Sequence, residues 1–502
     1  MKYNGRFDML TSLVQEAKAI AVGAWCSDER VESALAVQMG RDQVETLVKQ
    51  GRVAYGINTG VGFLHNVVLD SPLAAQLQRN ILRSHACGVG ELLPREAVAM
   101  MQLLLLRSAG TGQRGLRQET LAALSTALAH GVLPCVPSRG SVGASGDLAP
   151  AAHAALLLIG EGECTVLEED RVVRMPANQG LTRLGISPLT LEHKEGLGLI
   201  NGTQLTTALA LLGWSKASYL LRIANMTTAM SMLGAKGFAS ITHEEVLKAH
   251  RHEGTLRVGW EKQSWLKEFA GRMEYRDEKQ DPYCLRCAVH VHGAVWTELK
   301  QSAEILEAET SAITDNPILF PEIDMIGYGG NFHAINTARV SDRLASALTT
   351  LGTISERRTN LLMNGAKTGL PHFLVADGGQ NSGFMMIQVT AAALVSEAKS
   401  LSFPASVDSI PTNCDQEDHV SMGPTAGHKL HSILEKIRYV LAIELICACQ
   451  AVYLRGLPLP PRLQEVYESV RERVAPLTQD RILSYDIEAV SNLIEDEGLL
   501  PL

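Results

Sequence analysis

Long stretches of alanine and leucine with few chain breakers constrain this sequence more than any other feature. From Gly202 to Leu233 glycine and proline are almost absent, and Arg339 to Met363 runs similarly until Gly365. Later, Leu430, Ile433, Ile437, Leu441, Leu445 and Ala448 recur at steps of three and four residues, the spacing of one helix face. Two shorter runs carry end signals: Pro94 opens REAVAMMQLLLLRSAG, which stops at Gly110, and Leu116–His130 stops at Gly131. Aromatic residues make up only 5% of the chain against 46% hydrophobics, so the core is aliphatic and built from good helix formers. The reading is a mainly α protein, an elongated central helix bundle with an α-rich N-terminal region and few short strands. Thr165–Met175 reads as a surface hairpin and Pro317–Gly330 as a small sheet or loop. At about 150 residues per domain, 502 residues would make three domains. The only boundary signal is Pro188 ahead of the long helices, so residues 1–190 and 191–502 are the expected divisions.

Charge and cysteine usage narrow the function classes. The net charge of −9, with no basic block, disfavours nucleic acid and anionic membranes as partners. The longest wholly apolar runs, such as Leu103–Leu106 and Ala154–Ile159, fall short of the roughly 18 residues of a membrane span. The N-terminal MKYNGRFDML has no apolar core of a secretory signal, so a cytoplasmic protein is expected. Nine cysteines, scattered from Cys26 to Cys449, read as reduced thiols. Cys284 and Cys287 form one CxxC without a second pair, Cys447 and Cys449 point to different helix faces, His243-Glu244 lacks a histidine four residues on, and His290 and His292 lack partners. No metal site is expected. Gly143-Ala-Ser145-Gly-Asp147 is only superficially similar to a nucleophile elbow, since aspartate holds the last position and no strand precedes it. Gly60-Val61-Gly62 lacks the third glycine of a dinucleotide loop, and there is no P-loop lysine.

The loop Ser138–Pro150 is different. Its small residues sit where a backbone can fold tightly on itself. In Ala144-Ser145-Gly146 the Gly146 nitrogen can attack the Ala144 carbonyl, with no Cβ to block the approach. Loss of water from the ring and from the Ser145 hydroxyl would leave a methylidene conjugated with it, an electrophile made from the backbone. Asp147 would begin the next helix and aim its N-terminal dipole at the ring.

The string GSVGASGDLAP resembles the signature of enzymes that carry a 4-methylidene-imidazol-5-one (MIO) group, the aromatic amino-acid ammonia-lyases and aminomutases. Tyr55-Gly-Ile-Asn-Thr-Gly60, Leu199-Ile-Asn201-Gly-Thr-Gln204, Gln280-Asp-Pro-Tyr283-Cys-Leu-Arg286, Thr314-Asp-Asn-Pro317 and Gly330-Asn-Phe332-His333 are similar to further family segments, in the family's order. The resemblance implies MIO formation from Ala144, Ser145 and Gly146 in the N-terminal region, no external cofactor, and Tyr55 as general base with a lowered phenol pKa. It implies that Arg286 grips the substrate carboxylate, with Asn201, Gln280 and Tyr283 orienting substrate and ring. It also implies a homotetramer whose active sites are completed by neighbouring subunits.

The amino acid is suggested by a few positions. Ser84-His85 is similar to the dipeptide of histidine-type members, where phenylalanine types carry Phe-Leu and tyrosine types His-Leu. Gln416-Glu417-Asp418-His419 is similar to a histidine-type string. The Glu417 carboxylate can pair with an imidazole N–H and assist proton transfer, whereas a phenyl ring would leave it desolvated. Met385 also matches the histidine type, where ergothioneine-cleaving members are expected to place lysine, and Phe332 is expected in the pocket. The chain departs from that type at Val61, Phe63, Val289-His290 and Ile335-Asn336. The expected reaction is L-histidine to trans-urocanate and ammonia. The alternatives are a lyase or 2,3-aminomutase for a modified histidine or another aryl amino acid, and a structural member without the ring.

Overall fold

A computed structural model describes residues 4–25, 34–267 and 280–500. It is 64% helix and 7% strand, the mainly α class expected. The chain divides into two compact units, each of several segments. One comprises Met1–Leu212, Ala303–Ser341 and Pro404–His428; the other comprises Gly213–Ser302, Asp342–Phe403 and Lys429–Leu502. The expected division at 190/191 is a single cut, whereas later segments return to the first unit. A local reading of breakers does not register such returns.

The helices follow their sequence signals closely. Arg95–Ala109 starts after Pro94 and ends at Gly110, and Gln118–Ala129 ends beside Gly131. The long runs become Gln204–Ala235, Ile335–Met363 and Gly423–Arg455. On the last of these, all six residues of the periodic stripe are fully buried. That helix is apolar and long enough to cross a membrane, yet 78% of its most apolar window is covered by the protein itself. In the second unit its Glu444 accepts from Arg358 (2.6 and 2.8 Å), Ser231 (2.7 Å) and Ser355 (2.6 Å), so the buried charge is fully partnered.

Strands are few. Glu163–Glu168 pairs with Arg171–Pro176 as the expected hairpin, turning through left-handed Glu169 and Asp170. It is more than a surface feature: Leu133–Pro134 adds a third strand, and Cys164, Val166 and Met175 enter a core cluster with Leu157 and Leu181. Ile318–Phe320 pairs with Met325–Gly327 inside the stretch read as a small sheet. Val89–Leu92 with Pro137–Arg139 was not foreseen; the first is wholly exposed and lacks the alternation that marks a half-buried strand. Among the described residues the eight cysteines are free, and no group of three metal-ligating side chains forms; Cys26 lies outside them.

Candidate active site

The first unit holds a cavity of about 470 Å³ lined by Tyr55, Gly60–Gly62, Asn80, Ser84, His85, Ser145, Asn201, Asn316, Asn413 and Glu417, among others. Its size suits a small metabolite. Segments far apart in sequence meet here, each placed by a local device.

The loop carrying Ser145 turns through consecutive left-handed residues, Ser145 at φ +51° and Gly146 at φ +79°. A serine in that region is disfavoured by roughly 1–2 kcal/mol, so its surroundings must hold it. Two contacts do so. A Cβ on Gly146 would lie 1.9 Å from the Gly202 carbonyl oxygen, so only glycine allows this backbone approach. The Ser145 hydroxyl donates to Glu417 Oε1 at 3.1 Å. The helices Leu148–Leu156 and Gln204–Ala235 begin just after these two strands of backbone, with their positive ends beside the tripeptide.

Asp147 precedes the first of these helices as expected, but its side chain does not cap it. It accepts instead from the Thr206 amide (2.7 Å) and hydroxyl (2.9 Å) at the start of the second helix, and from Ser141 (3.1 Å). Full burial outweighs those donors and pushes its carboxyl up from 3.8 to about 6. The folded state therefore binds this proton more tightly than the unfolded chain. Its favourable contribution is complete below about pH 4 and is lost as pH rises through about 6. Urea denaturation of wild type and Asp147→Asn across that window is expected to show the stability difference shifting against wild type as pH rises, then levelling. A difference constant with pH would contradict the assignment.

Tyr55 Oη accepts from the Gly62 amide at 3.0 Å. A lowered phenol was expected from such donors. Within this chain the opposite holds, because burial outweighs the Gly62 N–H, and Glu417 and Asp315 oppose a phenolate as well. His85 is the last residue of the helix Ser71–His85, which Asp70 caps through the Leu73 amide. Its Nδ1 lies 2.9 Å from the Ile81 carbonyl, which fixes the proton there and leaves Nε2 as an acceptor. Burial lowers its pKa, keeping the ring neutral. Asn201 donates to the Asn316 carbonyl at 2.7 Å, while its Oδ1 is buried with no partner among the described residues. Beneath it, fully buried Arg114 donates to the carbonyls of Gly198 (2.9 Å) and Asn201 (2.8 Å). Glu417 Oε2 accepts from Thr412 at 2.6 Å.

Other expected site residues are not in this cavity. Gln280, Tyr283 and Arg286 belong to the second unit, where Arg286 donates to Gln280 and Tyr283 is 74% exposed. Tyr283 and Arg286 line a different cavity, of about 640 Å³, with Cys287 and His290. Met385, 38% exposed, begins the helix Met385–Leu401 of the second unit. Phe332 is half-buried beside His333, whose ring stacks on His419 with Nε2 and Nδ1 3.1 Å apart. Sequence reasoning missed Arg114, Asn316 and Asn413. Asn316 lay within a recognised string but had no role; Arg114 and Asn413 had no local signal, because their partners are remote in sequence.

On this helical scaffold a left-handed serine shares one cavity with a carboxylate, a tyrosine and a histidine. Residues 14–472 match the aromatic amino acid lyase family, and the chain belongs to that family. It is 46% identical to a histidine ammonia-lyase of Symbiobacterium thermophilum over 474 residues, 92% of this chain and 91% of the relative. The crystal structure of histidine ammonia-lyase from Trypanosoma cruzi matches with a TM-score of 0.89 at 35% identity, covering 98% of this chain and 92% of that one. Tyrosine aminomutase from Streptomyces globisporus matches with a TM-score of 0.88 at 32% identity, covering 97% and 95%.

Proposed function

We propose that this chain is a histidine ammonia-lyase, converting L-histidine to trans-urocanate and ammonia. The observation that carries the reading is Glu417, a carboxylate set against Ser145 in the cavity that also holds Tyr55 and His85. It can accept an imidazole N–H, whereas an apolar ring in its place would desolvate the carboxylate and offer no donor in return, at a cost of order 1–3 kcal/mol.

Ala144, Ser145 and Gly146 are the residues that would form the MIO group. They fit it: the chain already bends back at Ser145 and Gly146, and the attacking residue has no Cβ. The orphaned Asn201 Oδ1 at the cavity wall is an acceptor for the substrate's ammonium group. The group would supply an electrophile that turns the substrate's amino group into a leaving group. Tyr55 Oη takes the β-hydrogen as a proton. Its raised pKa makes turnover climb with pH until the phenol ionises. His85 Nε2 is an acceptor for the polar end of the substrate, and Glu417 holds the imidazole. Gln280, Tyr283 and Arg286 are supplied by a neighbouring subunit of a homotetramer, with Arg286 holding the substrate carboxylate by a two-pronged ion pair. Phe332 completes the side-chain pocket, to which a neighbouring subunit brings Met385, and the enzyme works in the cytoplasm.

A panel of aromatic amino acids, assayed for the conjugated acid product, tests this. Histidine is expected to give the highest kcat/KM, with urocanate as product. Preference for tyrosine or phenylalanine would overturn the substrate, and accumulation of β-histidine would make the enzyme an aminomutase.

A further inference from the structure

We infer that Asn413 is a positioning residue that ties the Tyr55 loop to the Glu417 loop through a single side-chain amide. The inference deepens the histidine-lyase reading and rests on it for the roles of the two groups joined. Asn413 Oδ1 accepts the Phe63 amide at 3.3 Å, and Nδ2 donates to Glu417 Oε1 at 3.4 Å. The same Glu417 oxygen accepts from Ser145, and the neighbouring Gly62 amide donates to Tyr55 Oη. A continuous path therefore runs from the phenol through the Gly62-Phe63 backbone and Asn413 to Glu417, which meets the Ser145 hydroxyl in the uncyclised chain.

Three features make this a built arrangement. The short helical turn Gly62–Leu64 has no cap from its own preceding residue, and among the described residues its orphan Phe63 N–H is satisfied from the remote loop alone. Gly62 itself is left-handed, and a Cβ there would lie 2.2 Å from Asn413 Nδ2, so the two loops are in close packing. On the other side, Asn413, Cys414 and Asp415 are all left-handed (φ +53°, +54° and +62°), in a loop closed by paired Thr412 and Glu417 backbones. Such a run is unfavourable by itself and is retained where it aims a side chain. Without Asn413, the turn that presents the Gly62 N–H to Tyr55 loses its anchor and Glu417 Oε1 loses a donor. The charged or titratable groups facing Tyr55 here are Glu417 and Asp315, with His85 across the cavity.

The test uses Asn413→Ala and Asn413→Leu, the latter keeping bulk against Gly62 while removing both hydrogen bonds. Tyrosinate absorbance is titrated in each, with the matching Tyr55→Phe protein subtracted so that only Tyr55 is read. Both variants are expected to titrate Tyr55 at higher pH than wild type. Both should lower kcat for histidine about 10-fold, with the ascending limb of the pH profile moving the same way. Wild-type titration and kinetics in the alanine variant would overturn the inference, as would full rescue by leucine, which would leave packing as the only role. The titration needs no turnover, so it decides the bridge even if wild type fails to release urocanate, a result that would count against the histidine reading instead.

Discussion

Ser145→Ala is expected to abolish turnover, by at least about 10³-fold in kcat, while the protein stays folded. Relative to the uncyclised chain, alanine keeps the left-handed conformation at residue 145 and its strain. What it gives up is one hydrogen bond to Glu417, worth about 1 kcal/mol. Urea denaturation should therefore still show a cooperative unfolding transition. Intact mass gives an independent reading of the chemistry. Wild type should weigh less than its sequence by two molecules of water, and Ser145→Ala should weigh what its sequence dictates. An unshifted wild-type mass would remove the ring, and the lyase mechanism with it.

The second large effect is expected at Glu417. Glu417→Gln should lower kcat/KM for histidine about 100-fold, while the mass deficit of the mature protein persists. The carboxylate uses Oε1 for Ser145 and Asn413 and Oε2 for Thr412. An amide has one oxygen, so it cannot accept from both sides, and it loses the charge that favours a protonated imidazole. The discrimination of histidine over phenylalanine should narrow, because the penalty for facing an apolar ring falls with the charge. Equal activity in the two proteins would refute imidazole pairing by Glu417.

Legibility of this protein in its sequence followed a physical divide. The helix Arg95–Ala109 was readable because Pro94 and Gly110 act on their own neighbours. The buried stripe of Gly423–Arg455 was readable because periodicity is local. Tyr55, His85, Ser145, Asn201 and Glu417 were recognisable as pieces of motifs, and they do share one cavity. The direction of the Tyr55 pKa was not readable. It depends on how deeply the ring is buried and on Glu417 and Asp315, both hundreds of residues away along the chain. The cap that Asp147 supplies to a helix other than its own, through Thr206, was hidden for the same reason, as were Arg114 and Asn413.

The close approach of Gly146 to Gly202, and of Ser145 to Glu417 across 272 residues, has a consequence for the life history of the molecule. The bend that prepares the tripeptide exists only once remote segments have docked, so the proposed ring closure belongs at the end of biosynthesis. Each molecule would then make that transition once. On that proposal a mature chain that unfolds and refolds retraces its fold with its covalent structure already changed, and is chemically a different polymer from the one the ribosome released.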